Sequence, residues 1–188
     1  MPTLSPATTA LVLIDLQHGI VAMPLQPITG AELVDRAKTV AARFRQAGAP
    51  VVLVNVDFGP AFVDAPSQPT DAGIRRDQAV PADWSQLVEG IEQPGDLRVT
   101  KRQWGAFTGT GLEQQLRRRG IDTIVLGGIA TNFGVESTAR HAWELGFAVV
   151  LAQDLCASVS TELHEMALQQ VMPRIARIAD ADAITLAG

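Results

Sequence analysis

Residues Ala10–Ile14 read ALVLI, a continuous apolar run, and the acidic residue Asp15 follows it directly. Such a run is typical of a strand that is covered on both faces, as in a parallel sheet. Four more short runs are rich in β-branched residues and predict further strands. They are Val51–Val56, Asp96–Thr100, Thr123–Leu126 and Ala148–Ala152, and Arg174–Ile178 is expected to add a sixth strand at an edge.

Segments with helical spacing lie between these runs. They are Ala31–Ala47, Gly111–Arg119, Phe133–Leu145 and Thr161–Met172. Gly48, Gly120 and Gly146 each stand between a helix and the next strand, where glycine lets the chain turn back. Alternating strands and helices predict a Rossmann-like three-layer α/β/α sandwich, with a mostly parallel sheet of five to six strands and right-handed crossovers.

One long segment, Phe58–Gln93, breaks the alternation and contains four prolines among small and polar residues. Loops of this length in compact domains are usually functional or disordered. We predict that it runs over the surface and covers the substrate. A plain surface insertion is the alternative.

Length and charge limit the function classes. At 188 residues and 47% hydrophobic content, the chain predicts a single domain over residues 1–188. The net charge of −5 disfavours nucleic acid and anionic membranes, so a small molecule or another protein is the expected partner. No signal core and no apolar run of about 20 residues is present, which predicts a cytoplasmic protein without a membrane partner.

Polar residues cluster at the strand ends, where open parallel sheets bind ligands. A carboxylate directly after an apolar strand needs a partner, and Lys101 follows the third strand in the equivalent position. We therefore expect Asp15 to pair with Lys101, although two solvated loop charges remain the alternative. The other strand-end residues are Gln17, Asn55, Asp57, Thr131 and Asn132.

Leu126–Gly134 (LGGIATNFG) joins a strand to a helix, so the first free N–H groups of that helix form a candidate anion site. Thr131 or Asn132 could instead simply cap the helix. Trp104 and Phe107 follow the third strand, and aromatic residues are enriched in interface cores. This predicts a homo-oligomer, a dimer or tetramer; lining of the pocket or the core is the alternative role of the two rings.

Three blocks together resemble the isochorismatase-like hydrolases. They are Leu11–Gln17 (LVLIDLQ), Lys101 within VTKRQWGAF, and Ile121–Arg140 (IDTIVLGGIATNFGVESTAR). The resemblance implies that Asp15 and Lys101 occupy the positions that activate a cysteine in the family's cysteine hydrolases, and that Gly134 stands in place of that cysteine. It also implies a cis peptide bond between Ile129 and Ala130. Isochorismatases, which cleave a vinyl ether by protonation, resemble this chain in having glycine there.

The resemblance thus implies a hydrolase in which Asp15 is the general acid and Lys101 holds Asp15 or a substrate carboxylate. The Ala130 and Gly134 amides are expected to donate hydrogen bonds. Substrate-binding residues are expected at Gln17, Asp57, Trp104, Ala130 and Asn132. A non-catalytic binding or scaffold protein is the alternative, since glycine cannot be a nucleophile. A dinucleotide-binding domain is disfavoured because Gly127 and Gly128 do not fit the G-x-G-x-x-G spacing.

No cofactor and no metal is expected. Nicotinamidases, which belong to the same family, carry an Asp-x-His zinc pattern where this chain reads Asp57, Phe58 and Gly59. The chain has three histidines, His18, His141 and His164. His141 and His164 lie on predicted helices without a partner at ligand spacing. The single cysteine, Cys156, is far from the helix N-terminus and is predicted to be a buried structural thiol that forms no disulfide.

Overall fold

The computed structural model describes residues 2–72 and 81–187, and its strands form one large and one small sheet. In chain order the strands are β1 (Thr3–Leu4), β2 (Thr9–Ile14), β3 (Val51–Val56), β4 (Leu97–Lys101), β5 (Thr123–Ile129), β6 (Ala148–Ala157), β7 (Arg177–Ala179) and β8 (Thr185–Leu186). The large sheet has six strands in the order β4-β3-β2-β5-β6-β7, and each neighbouring pair is parallel. The predicted sheet is confirmed, with β7 at the expected edge.

The helices connect these strands. They are α1 (His18–Val21), α2 (Gly30–Gln46), α3 (Leu112–Arg118), α4 (Glu136–Glu144) and α5 (Thr161–Met166). The longest, α2, begins at a capping box in which Thr29 and Glu32 each bond the other's backbone N–H. It ends before Gly48, whose φ of +76° is a left-handed conformation that favours glycine and turns the chain into β3.

Side chains of the apolar strands pack into two hydrophobic cores, one on each face of the sheet. Leu11 and Leu13 of β2 pack in the core that contains the buried side of α2, whereas Val12 and Ile14 pack in the core that contains α3 and α4. Successive strand residues point to opposite faces, so a continuous apolar run fills both cores. The result is the predicted α/β/α sandwich.

The structure extends β6 beyond its predicted end at Ala152. The strand continues through Gln153 and Asp154 to Ala157, and its register against β5 shifts between Leu126 and Gly128. The two polar residues did not predict strand, but both have specific partners. Gln153 Nε2 donates to Asp180 Oδ1 at 2.8 Å, and Asp154 Oδ1 accepts from the Ala181 N–H at 2.7 Å.

The helix predicted over Thr161–Met172 is divided into three parts. It continues from α5 as a π-helical turn at Ala167–Val171 and a 3-10 turn at Met172–Arg174. Likewise, the helix predicted from Phe133 begins earlier, as a π-helical turn over Thr131–Val135 that leads into α4. That turn carries Gly134.

The prediction that Phe58–Gln93 runs only over the surface is wrong in part. Phe62 and Ala65 are buried, and Ile91 is completely buried in the core on the α2 side. Leu87 forms an antiparallel bridge with Gln17. Residues 73–80 of the segment lie outside the described residues, so its predicted covering of the substrate stays a prediction. None of the helices within residues 2–72 and 81–187 combines the length and the apolar composition of a membrane span.

Candidate active site

The fold brings Asp15 and Lys101 together at the carboxyl edge of the sheet. Asp15 directly follows β2 and Lys101 ends β4, with β3 between them. Lys101 Nζ donates to Asp15 Oδ2 at 2.7 Å and to the Trp104 carbonyl at 2.6 Å. Lys101 is 1% exposed and Asp15 6%, so the predicted pair forms and neither member is a solvated loop charge.

The Asp15 carboxyl group has an unusual pKa. Burial raises it from 3.8 to about 6, while the charge and hydrogen bond of Lys101 act to lower it. Burial disfavours the charged carboxylate more than Lys101 favours it. Near neutral pH, Asp15 is therefore able to exchange a proton.

Gly134 lies against this pair. A Cβ atom placed on Gly134 would be 3.1 Å from Lys101 Nζ, 3.3 Å from Asp15 Oδ2 and 3.0 Å from Ile14 Cγ2. These distances are shorter than ordinary van der Waals contacts with a Cβ atom, so any side chain here would press on the ion pair. Position 134 is thus the point at which the last sequence block reaches Asp15 and Lys101.

Two polar groups at this edge have no partner among the described residues. Asp15 Oδ1 is buried and accepts no hydrogen bond. The Ala130 N–H belongs to the cis peptide bond between Ile129 and Ala130, and it donates to none of the described residues. Buried polar groups normally have partners, so both groups are available to a ligand.

Trp104 and Asp57 line different cavities. Trp104 borders a cavity of about 530 Å³ together with Gln103 and His141. Its indole ring packs at an angle of 54° against Phe133, the residue before Gly134, with ring centroids 4.8 Å apart. Asp57 borders a second cavity of about 360 Å³, and its Oδ1 accepts from the Gly59 N–H at 2.9 Å. Trp104 therefore contacts the residue before Gly134, and Asp57 lies beside Lys101, since the Asp57 N–H donates to the Lys101 carbonyl at 3.1 Å.

Comparisons with known proteins identify the family. Residues 9–183 match the isochorismatase domain. The isochorismatase-family protein YecD of Escherichia coli O157:H7 is 49% identical over 185 residues, which cover 98% of each chain. The chain belongs to the isochorismatase family. The family's members are hydrolases, and the enzyme class predicted from the sequence is confirmed.

Two further similarities agree with this family. An isochorismatase-family structure from Burkholderia thailandensis has a TM-score of 0.92 and 44% identity, and the match covers 97% of this chain and 96% of that one. A ureidoacrylate amidohydrolase, RutB of Methylobacterium radiotolerans, is 31% identical over 194 residues, covering 89% of this chain and 74% of RutB.

The turn after β5, Thr131–Val135, is held by side-chain hydrogen bonds that the sequence did not predict. Neither Thr131 nor Asn132 caps the helix, contrary to the alternative considered above. The Thr131 hydroxyl instead lies 2.8 Å from His164 Nδ1, and Asn132 Oδ1 accepts from Ser158 Oγ at 2.5 Å. Both partners come from the segment after β6, and a side-chain contact across about 30 positions leaves no signal in local sequence.

Gln17 is a structural residue, which corrects its prediction as a substrate ligand. Its side chain is fully buried. Nε2 donates to the carbonyls of Val56 and Trp84, and Oε1 accepts from the Val56 N–H at 2.8 Å. Both N–H groups of the amide are therefore used to tie the start of α1 to β3 and to the segment around Trp84.

Cys156 lacks the properties of a catalytic thiol. It is 1% exposed, its Sγ donates to the Ala152 carbonyl, and burial raises its pKa to about 12. A thiol with such a pKa forms almost no thiolate near neutral pH. Over the ranges 2–72 and 81–187, no group of three or more His, Cys, Asp or Glu side chains is arranged to hold a metal ion.

Proposed function

We propose that this isochorismatase-family hydrolase cleaves a vinyl ether, or a related small carboxylate substrate, by proton transfer from Asp15 and without a cysteine nucleophile. The observation that carries the proposal is the contact between the buried Asp15–Lys101 pair and Gly134, where no thiol can be present. In this proposal Gly134 replaces the nucleophile of the family's cysteine hydrolases.

The position of the hydrogen bonds favours Asp15 as a proton donor. Oδ2 accepts from Lys101, whereas Oδ1 has no partner among the described residues. A protonated Asp15 would therefore carry its proton on Oδ1, free to be donated. A general acid works best when its pKa is close to the working pH, and the value of about 6 meets this condition.

The chemical step balances with water alone. Asp15 donates its proton to the terminal carbon of the vinyl ether, which gives an oxocarbenium ion. Water adds to that ion and returns a proton to Asp15, and the hemiketal then breaks its C–O bond to release an alcohol and a keto acid. No covalent enzyme intermediate is formed, so the step does not need a nucleophilic side chain at position 134.

Lys101 and the turn after β5 would hold a substrate carboxylate. An ammonium group has three N–H donors, and Asp15 and Trp104 accept two of them. The third remains for the substrate. The Ala130 N–H is a second donor, and Trp104 packed against Phe133 offers an apolar wall. In this arrangement Ala130 and Trp104 keep their predicted roles in binding.

Amide hydrolysis is the rival activity, because RutB proteins are ureidoacrylate amidohydrolases. In the cysteine hydrolases of this family that reaction uses a thiol activated by the Asp and Lys positions. Cys156 does not meet this need, since it is buried and its pKa is about 12. The properties of the chain's single thiol therefore favour vinyl-ether cleavage over amide cleavage.

A substrate comparison tests the proposal. Purified wild-type protein is incubated with isochorismate, with release of pyruvate as the readout, and in parallel with ureidoacrylate and nicotinamide, with release of ammonia as the readout. We expect pyruvate from isochorismate, no ammonia, and no pyruvate from the Asp15→Asn variant. Ammonia release by the wild-type protein, or saturable binding of isochorismate without turnover, would contradict the proposal.

A further inference from the structure

The turn that carries Gly134 is fixed from behind by a buried hydrogen bond. Thr131 is completely buried and His164 is 6% exposed, and Thr131 Oγ1 lies 2.8 Å from His164 Nδ1. Thr131 directly follows Ala130 and stands three residues before Gly134. Ala130 and Gly134, whose amides are the proposed donors, therefore lie on either side of Thr131, the residue that His164 holds.

A second bond comes from the same segment of the chain. Ser158 Oγ donates to Asn132 Oδ1, and the Ser158 backbone is itself paired with Gln26 through two hydrogen bonds of 2.8 Å. This pairing fixes the Ser158 backbone, and the Ser158 side chain restrains the Asn132 side chain. The Thr131 bond also joins two side chains, and its partner His164 is on α5.

The π-helical turn explains why such restraint is needed. In a π-helical turn the hydrogen bonds run from residue i to residue i+5, and the turn is rare except as a short interruption at functional sites. Here the Val135 N–H bonds the Ala130 carbonyl at 3.1 Å. A change to ordinary α-helical bonding would rotate Gly134 relative to Lys101 and Asp15. Both lie so close that a Cβ atom on Gly134 would be 3.1 Å from Lys101 Nζ and 3.3 Å from Asp15 Oδ2.

We propose that His164 is a positioning residue, which acts through its hydrogen bond with Thr131 to hold residue 134 and the amides around it against Lys101 and Asp15. It touches no reacting atom. This inference rests on the proposed function for the location of the site, but its test needs no substrate.

The test uses an introduced thiol as a reporter. In the full chain carrying Gly134→Cys and Cys156→Ala, the thiol at position 134 lies beside Lys101, so its pKa should fall below the ordinary value of about 8.5. The rate of labelling by iodoacetamide is measured as a function of pH. The pH at half-maximal rate reports the thiol pKa, whereas the plateau rate reports accessibility.

Thr131→Val and His164→Phe are then each added to this background. Each removes the hydrogen bond, so we expect each to raise the half-maximal pH by about half a unit and to lower the labelling rate at pH 7 about threefold. The double variant should shift no further than either single variant, because both remove the same bond. Thr131→Ser keeps the hydroxyl and should restore the original half-maximal pH.

Ser160→Ala is the matched control. Ser160 caps α5 through the Leu163 N–H, so its loss weakens the helix that carries His164 without removing the bond to Thr131. It should lower Tm and leave the half-maximal pH unchanged. The inference is overturned if Thr131→Val and His164→Phe lower Tm without moving the half-maximal pH, or if Ser160→Ala moves it equally. Failure of isochorismate turnover would not affect this result.

Discussion

Lys101 Nζ lies 2.7 Å from Asp15 Oδ2, although 86 positions separate the two residues in the chain. The pair is buried and sits at the carboxyl edge of a parallel sheet, so its charges are strongly coupled. Removing one partner from such a pair leaves the other charge buried and uncompensated. This coupling leads to a direct test of the site by stability measurements.

A double-mutant cycle should reveal the coupling. Asp15→Asn strands the Lys101 ammonium and should lower the free energy of unfolding at pH 7.5 by about 3–5 kcal/mol. Adding Lys101→Met removes the stranded charge, so the double variant should be more stable than Asp15→Asn alone. Urea unfolding of the four proteins checks this. Strictly additive free energies would mean that the two side chains do not interact in solution.

Gly134→Ala tests the contact between position 134 and the pair. The added methyl group would be 3.1 Å from Lys101 Nζ, so the ammonium must move by a few tenths of an ångström. Because a displacement of about 1 Å at a reacting group can cost on the order of 100-fold in rate, this smaller shift should lower kcat by about three- to tenfold with Tm nearly unchanged. Gly120→Ala, at a left-handed turn away from the site, is a control that affects stability only. Full activity in Gly134→Ala would argue that the pair is not the reacting centre.

Cys156 should be chemically inert. Its pKa of about 12 and its burial predict that iodoacetamide labels it only slowly at pH 7.5 in the folded wild-type protein, and at an ordinary rate in urea. Cys156→Ala should retain isochorismate turnover. Peptide mapping after a short incubation provides the measurement, and rapid labelling of the folded protein would place a reactive thiol where none is expected.

Assembly into a homo-oligomer stays a prediction. Of the two aromatic residues on which it rests, Trp104 and Phe107, the structure leaves only Trp104 exposed. Phe107 is only 5% exposed and packs on Phe147, so it belongs to the core and offers no interface. Trp104 and Trp143 are more than half exposed, which is costly for rings of this size in water. Light scattering at micromolar concentration should give a mass of at least twice the 20.0 kDa chain. A mass near that of one chain would refute assembly.

Local sequence predicted the sheet and the Asp15–Lys101 pair because both depend on where strands end, which short windows of sequence reveal. It did not predict the partners of Thr131 and Asn132, because His164 and Ser158 approach them only after the chain has folded. Gln17 was misassigned for a related reason. A polar residue at a strand end can satisfy a substrate or the backbone of a distant segment, and the sequence of its neighbours does not distinguish the two.

The dependence of kcat/KM on pH tests the central claim most directly, namely that Asp15 donates a proton at a site without a thiol. If protonated Asp15 is the active form, kcat/KM for isochorismate should be highest below pH 6 and should fall about tenfold per pH unit above the Asp15 pKa of about 6. Asp15→Asn should show no activity at any pH at which it is folded. If kcat/KM instead rises with pH through 6, the ionised carboxylate is the active form, and the proposal that Asp15 is the general acid is contradicted.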